Sequence, residues 1–187
     1  MSSPVQIRPA DPKRDAAACA AIYAPSVKDG ATSFEERAPD AAEMAARIAK
    51  YTSTHPWLVA EGGGEVVGYA YACPFQVRPA YRWSASVSVY VAADRLGQGL
   101  GRALYEELLD RLRRQGIRNA CAGITLPNPA SVGLHESLGF ELVGVNREVG
   151  WKQGAWRDVG WFQLQLTPPP AGDPPEPLPP EPAAPPG

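Results

Sequence analysis

Three groups of residues in this sequence have the types and spacing for chemistry. The first is Gly97-Gln98-Gly99-Leu100-Gly101, which separates an alternating run, Val87 to Val91, from a run with helical spacing, Leu100 to Leu112. Strand, glycine loop and helix in that order set a row of backbone N–H groups at a helix amino terminus, where unpaired donors and the helix dipole stabilise an anion. The same glycines equally suit a tight turn that binds nothing, because they relieve steric strain. The second group is Phe34-Glu35-Glu36, an aromatic beside two carboxylates in the long loop Ser26 to Pro39. Loops of that length line sites or simply cross the surface. The third is Arg78, in a connector with Phe75, Tyr81 and Arg82 that leads to Trp83. A guanidinium among aromatics can grip a carboxylate through two parallel hydrogen bonds, or cover apolar surface with its head in water.

These groups need elements to hold them. In the central stretch Val87, Val89 and Val91 share one strand face and Ser86, Ser88 and Tyr90 the other. Leu100, Leu104, Leu108 and Leu112 follow at i+4 steps, with Tyr105 and Leu109 beside them. Upstream, Val5 to Arg8 reads as a short strand. Asp11-Pro12 reads as an N-cap and first helical residue, the helix running to about Tyr23 with Ala16, Cys19, Ala20 and Tyr23 inward and Pro25 ending it. Asp40 and Glu43 form a capping box for a second helix that buries Ala41, Met44, Ala45 and Ile48. Trp57 to Ala60 and Val66 to Cys73 read as strands, and the glycines between them favour an antiparallel hairpin.

After a stop at Gly116 come a strand, Asn119 to Thr125, and a short helix from Asn128-Pro129 to Gly139 with Leu134 and Leu138 inward. Two last strands, Phe140 to Val145 and Gly160 to Leu166, flank an aromatic and charged excursion, Trp151 to Asp158, which carries Trp156. The order β, α, α, β, β, β, α, β, α, β, β predicts an α/β fold of the α+β kind. Its sheet is mixed and mostly antiparallel, flanked by helices, with one parallel connection through the glycine loop. Repeated βαβ units and the dinucleotide glycine spacing are missing, which excludes a dinucleotide fold.

Composition narrows the class. A chain of 187 residues suits one well-buried core. Eleven prolines fall between Pro168 and Gly187, a composition that forms neither helix nor sheet, so the expected division is a domain over 1–167 and a disordered tail over 168–187. The 18 basic and 20 acidic residues nearly balance and give no field to draw in nucleic acid. Cys19, Cys73 and Cys121 are odd in number and widely spaced; they read as reduced thiols of a cytoplasmic protein, with no metal-ligand spacing. No apolar run is long enough for a secretory signal or a membrane span.

The blocks VYVAADRLGQGLGRALYEELL and AGITLPNPASVGLHESLGFELVG resemble the cofactor-binding strand, loop and helices of the Gcn5-related N-acetyltransferase (GNAT) superfamily. AIYAPSV, TSFEE, GYAYACPF, RPAYRWS and WKQGAWRDVGWFQL extend the resemblance, over about Val5 to Leu166, to its phosphinothricin and methionine-sulfone N-acetyltransferase branch. The resemblance implies a sheet splayed between the strands around Val89 and Gly123, with acetyl-CoA in the cleft. It further implies that Val89, Tyr90 and Val91 present backbone groups to the pantetheine. The amides of Gly97, Gln98, Gly99, Leu100 and Gly101 take the pyrophosphate, and Asn128 with Ser131 shapes the other side. The implied reaction is acetyl transfer to the amino group of a small amino-acid-like acceptor such as phosphinothricin, methionine sulfone or methionine sulfoximine, in a homodimer.

Two departures qualify this expectation. Leu96 stands where the family loop usually begins with Gln or Arg, which leaves Arg95 or Arg102 to bring positive charge toward a phosphate. Ser86 stands where the branch carries a glutamate that acts as general base, and a hydroxyl has no useful basicity near neutrality. The remaining candidates for deprotonation are Glu35, Glu36, Asp158 or a water held by Ser86 or Ser88. His135, where related enzymes often have tyrosine, is the candidate to return a proton to the thiolate. Phe34, Phe75, Tyr81, Trp83, Trp151 and Trp156 form the expected acceptor pocket, with Arg78 for a carboxylate. The alternatives are an acetyl-CoA-binding member with weak catalysis, or a protein or peptide N-acetyltransferase.

Overall fold

Alternation along the central strand divides the molecule into two cores. The computed structural model describes residues 5–181. In chain order the elements are β1 (Gln6–Pro9), α1 (Ala16–Lys28), α2 (Ala41–Thr52), β2 (Trp57–Gly62), β3 (Glu65–Pro74) and β4 (Ser84–Val91). Then follow α3 (Leu100–Gln115), β5 (Asn119–Leu126), α4 (Pro129–Ser137), β6 (Glu141–Lys152) and β7 (Ala155–Gln165). One sheet holds all seven strands in the order β1-β2-β3-β4-β5-β7-β6. Among the described residues only β4 and β5 run parallel; the other pairs are antiparallel. The element order and sheet type are those the sequence predicts.

Ala85 and Val87 of β4 face a core built on α3, where Leu104, Leu108, Leu109 and Leu112 are buried against Ala70 and Ala120. Each buried leucine contributes about 1.5–3 kcal/mol by leaving water. Tyr90 faces the opposite core, where Cys19 of α1 and Met44 and Ile48 of α2 pack on Trp57, Val59 and Tyr69. The small residues of α1 let it lie close to the sheet. The capping box of α2 forms as expected, with Glu43 N–H donating to Asp40 Oδ1 at 2.8 Å and Asp40 N–H to Glu43 Oε2 at 3.0 Å. Ala41, expected inward, is exposed, because the box directs the first turn outward.

Two boundaries differ from expectation. The first helix starts at Ala16, not Pro12, and runs through Pro25 to Lys28. Asp11 Oδ1 accepts from Lys13 and Arg14 N–H at 2.7 and 3.1 Å and so closes a turn ahead of the helix. Asp15 then turns inward with no solvent exposure, where Arg8 holds it through two hydrogen bonds of 2.7 and 2.8 Å. Pro25 is tolerated because it sits near the carboxyl end, where its missing donor removes one bond, while buried Val27 anchors the last turn.

The second difference concerns Trp151 to Asp158, expected as an excursion. It is the end of a long hairpin, β6 and β7 meeting at Gln153-Gly154. Register shifts at Leu142/Gly144 and Asn146/Gly150, with Glu148 at φ 49°, break the period of two that would have marked the strand. Residues 168–181 take neither helix nor strand, and Pro177, Leu178 and Glu181 lie against the carboxyl end of α3. The remainder of the expected tail, 182–187, falls outside the described residues.

Candidate functional site

The site begins where a strand pair comes apart. β4 and β5 share only three positions, Ser84 with Asn119, Ala85 with Ala120 and Ser86 with Cys121. Beyond Ser86, β4 keeps β3 as its neighbour up to Val91, and β5 keeps β7 up to Leu126. One edge of Val87 to Val91 therefore lacks a strand partner. Backbone groups on such an edge call for a ligand or water. A cavity of about 70 Å³ lies in the fork, lined by Val87, Ser88, Val89, Tyr90, Gly123, Tyr105 and His135. It shares Thr32, Val89, Tyr90, Asn128 and Ser131 with a larger one of about 690 Å³, whose far end is the glycine loop from Leu96 to Arg102.

Gly97 and Gly99 have φ of 74° and 77°, and no atom lies near the place of a side chain at either. Conformation, not space, requires glycine there. Gly99 is the N-cap of α3 and contributes no side-chain cap, and the first turn contains no acidic residue. The helix amino terminus thus offers donors and a positive dipole end without a competing anion. Arg102 lines the cavity but its guanidinium is engaged: it reaches Glu106 Oε1 at 3.0 Å and Ser137 O and Oγ at 3.0 and 2.8 Å. Arg95, beside Asp94 at 3.5 Å, is the basic side chain that lines the cavity without such ties. Asn128 Oδ1 accepts from Ser131 N–H at 3.1 Å and caps α4 at the cavity wall.

His135 sits at the floor of the fork with 3 % exposure. Its Nδ1 lies 2.7 Å from Ser131 O, which can only accept, so Nδ1 carries the proton. Nε2 then accepts from the Tyr105 hydroxyl at 3.0 Å. Burial pushes the imidazole pKa down, against the opposing pull of Ser131 O, and the ring is neutral. Glu35 is also engaged. Arg47 grips both its oxygens at 2.7 and 2.8 Å, and the Tyr23 hydroxyl donates to Oε1 at 2.9 Å. The Arg47 guanidinium, outweighing burial, holds the carboxyl below its usual range. A weaker base results.

The expected acceptor residues converge only in pairs: Phe75 meets Tyr81 edge-on at 5.9 Å, and Trp151 meets Trp156 at 5.4 Å. Phe34 packs on Gly150, so closely that a side-chain carbon at 150 would lie 2.2 Å from its ring. Lys152 Nζ donates to Glu35 O at 2.6 Å, and the two contacts together dock the β6–β7 hairpin end on the α1–α2 loop. Phase of the chain matters less than topology here: Phe75 meets Trp161 edge-on at 6.1 Å beside a cavity of about 440 Å³ that also contains Cys121. Arg78 and Tyr81 line a different cavity of about 390 Å³ that reaches Ser84. Trp83 donates to Pro175 O at 2.8 Å, and Trp156 is exposed on the hairpin against Trp151. Ser86 sits at the fork's vertex, half-buried. Arg47, Tyr23 and Tyr105 were missed from sequence. A tyrosine within a buried stripe was the available signal, since its hydroxyl must find a partner.

A sheet forked beside its one parallel pair, with a bare helix amino terminus at the open end, defines a transferase of the acyl-CoA-dependent class. The chain matches the acetyltransferase (GNAT) domain over residues 9–161 and belongs to that family. It is 39 % identical over 169 residues to phosphinothricin N-acetyltransferase of Streptomyces viridochromogenes, covering 89 % of this chain and 92 % of that one. It is likewise 39 % identical to the L-methionine sulfoximine/L-methionine sulfone acetyltransferase of Salmonella typhimurium, covering 86 % and 94 %. Among solved structures, a GNAT superfamily phosphinothricin acetyltransferase from Sinorhizobium meliloti in complex with AcCoA is similar with a TM-score of 0.87 at 38 % identity, covering 92 % and 94 %.

Proposed function

We propose that this chain transfers acetyl from acetyl-CoA to the amino group of a small amino-acid-like acceptor, of the phosphinothricin, methionine sulfone or methionine sulfoximine type. The observation that carries the reading is the fork beyond Ser86, continuous with the uncapped amino terminus of α3. An unpaired strand edge and an anion-ready helix end are what a pantetheine arm and a diphosphate require, so the residues present fit this cofactor. Bound acetyl-CoA supplies the acetyl thioester. Val89, Tyr90 and Val91 hold its arm through backbone groups, the amides of Gly97 to Gly101 hold its phosphates, and Arg95 adds charge. Tyr105 and His135 close the floor of the fork as a neutral hydrogen-bonded pair, to which we assign the passing of a proton to the leaving sulfur, made good by the proton that the nitrogen sheds as the amide forms, so that the pair ends neutral. Ser86 offers the acceptor amine no carboxylate, so the amine loses its proton chiefly to solvent. We take residues 1–167 as the catalytic domain.

The relatives named for phosphinothricin and methionine sulfoximine support the acceptor class. A homodimer is supported by the edge strand β6, where Leu142, Val143, Val149 and Trp151 are all more than half exposed beside Trp156 of β7. Release of free thiol from acetyl-CoA with methionine sulfone, methionine sulfoximine and phosphinothricin tests the function. Release that requires the amine is expected. The second reading, a cofactor-binding protein of little activity, draws on Ser86 at the vertex and the engaged Glu35; tight acetyl-CoA binding without release across the panel would favour it.

A further inference from the structure

The chain after Thr167 lies beyond the residues that match the family, yet it is bonded to the body at defined points. Leu178 N–H donates to Gln115 O at 2.7 Å. Gln115 is the last residue of α3, whose terminal carbonyls have no partner within the helix. The Pro175 carbonyl accepts from Trp83 Nε1 at 2.8 Å. Arg82 lies 4.3 Å over the Trp83 ring and pairs with Glu176 at 2.8 Å. Glu181 lies 2.7 Å from Arg114 and 3.6 Å from Arg111. Pro177 crosses over Gly116, which adopts φ 89° and presents no side chain to obstruct it.

These contacts have the chemistry by which proline-rich chains are recognised. Proline carbonyls are strong acceptors, an indole N–H is a donor on an apolar plate, and a pre-extended segment loses little freedom on docking. Charge agrees as well: the segment carries Glu176 and Glu181 and no basic residue, while the body presents Arg82, Arg111 and Arg114. We infer that Arg82, Trp83 and the carboxyl end of α3 form a docking surface for an extended proline-rich segment, and that its occupant is this chain's own segment 174–181. The tether is short. Leu166 N–H is fixed to Arg118 O at 2.7 Å, so the segment is presented at high effective concentration to its own body. Because Arg82 and Trp83 directly precede β4, docking steadies the start of the strand that carries Ser86.

Hydrogen exchange on the full chain tests this, since Leu178 is one of the few residues of the segment with an amide proton. In the intact chain that amide is expected to exchange at least about tenfold more slowly than in a free peptide of the same sequence. Trp83→Phe, which keeps a ring and removes the donor, and Leu178→Pro, which removes the segment's donor, each release the segment. The first raises Leu178 exchange to the peptide rate, and both lower Tm by about 2–4 °C. Protection at Leu104 to Leu112 stays unchanged and reports that the fold is intact. Exchange of Leu178 at the peptide rate in the unaltered chain would overturn the inference. Mixing the two variants separates the occupants: one has a sound surface, the other a sound segment. Recovery of Leu178 protection in the mixture would replace this chain with a second copy as the occupant, and no recovery is expected.

Discussion

At Ser86 the chain places a hydroxyl at the vertex of the fork, the position from which the branch it resembles draws a carboxylate. Neither Glu35 nor His135 then stands ready for the acceptor, because Glu35 is held ionised by Arg47 and His135 accepts from Tyr105. The rate with methionine sulfoximine is therefore expected to climb tenfold per pH unit until the acceptor amine itself is deprotonated. Ser86→Glu should raise kcat/KM at pH 7 by about a hundredfold, the lower end of the range for general base catalysis, and flatten that profile. An unchanged profile in steady-state assays would show that another base serves the reaction. The buried histidines make a second pH statement. His135 and His55 have pKa values lowered from 6.5 by burial, so the unfolded chain binds protons that the folded chain refuses. Their stabilising effect is complete above the unfolded value of about 6.5 and falls away as pH drops below it. Thermal melts should show Tm falling by about 2–4 °C per pH unit per histidine below that point. His135→Gln, whose amide can satisfy both Ser131 O and the Tyr105 hydroxyl, should remove one histidine's share.

Among the elements, the loop before α3 is the one whose conformation the proposed cofactor site requires most directly. Gly99→Ala forces a side chain into φ 77° and is expected to lose about 1–2 kcal/mol there. Acetyl-CoA affinity, measured by calorimetry, should fall roughly tenfold for a loss of that size. The hairpin makes a second demand, since a methyl group at 150 would overlap the Phe34 ring. Gly150→Ala should displace the α1–α2 loop and raise the acceptor KM more than the acetyl-CoA KM. Element order was legible because each long run had one clear period, as in Leu100 to Leu112 or Val87 to Val91. The start of α1 was not, since Asp11 and Asp15 both precede helical spacing, and Arg8, brought close by the sheet, together with the Asp11 N–H holds Asp15 inward. β6 was truncated in the reading because its bulges interrupt the alternation. The glycine loop could be found from local order alone. The Glu35–Arg47 pair could not, for the partners are twelve residues apart and on different elements.

For the whole molecule, the proposed acceptor pocket is the part least readable from one strand of text. Its expected aromatics are spread over two cavities, the contact with Pro175 and an exposed hairpin, and contacts across the sheet, not spacing along the chain, decide which of them meet. The same hairpin raises the question of assembly. β6 ends the sheet, and an edge strand with apolar side chains in water is prone to pair with another chain unless covered. Leu142, Val143, Val149, Trp151 and Trp156 are 53–61 % exposed and lie on the two strands of this one hairpin. A self-complementary contact between two such hairpins would bury them and is the simplest closed arrangement. A charge at Val143 tests it with little risk to the fold, since an exposed position away from caps and cores usually changes stability by no more than about 0.5 kcal/mol. If the hairpins pair as proposed, the unaltered protein sediments as two chains and Val143→Glu as one, with Tm close to unchanged at low concentration. If both sediment alike, the hairpin is not the interface. If the single-chain variant also loses acceptor turnover while still binding acetyl-CoA, the pairing of hairpins helps to shape the acceptor side of the site.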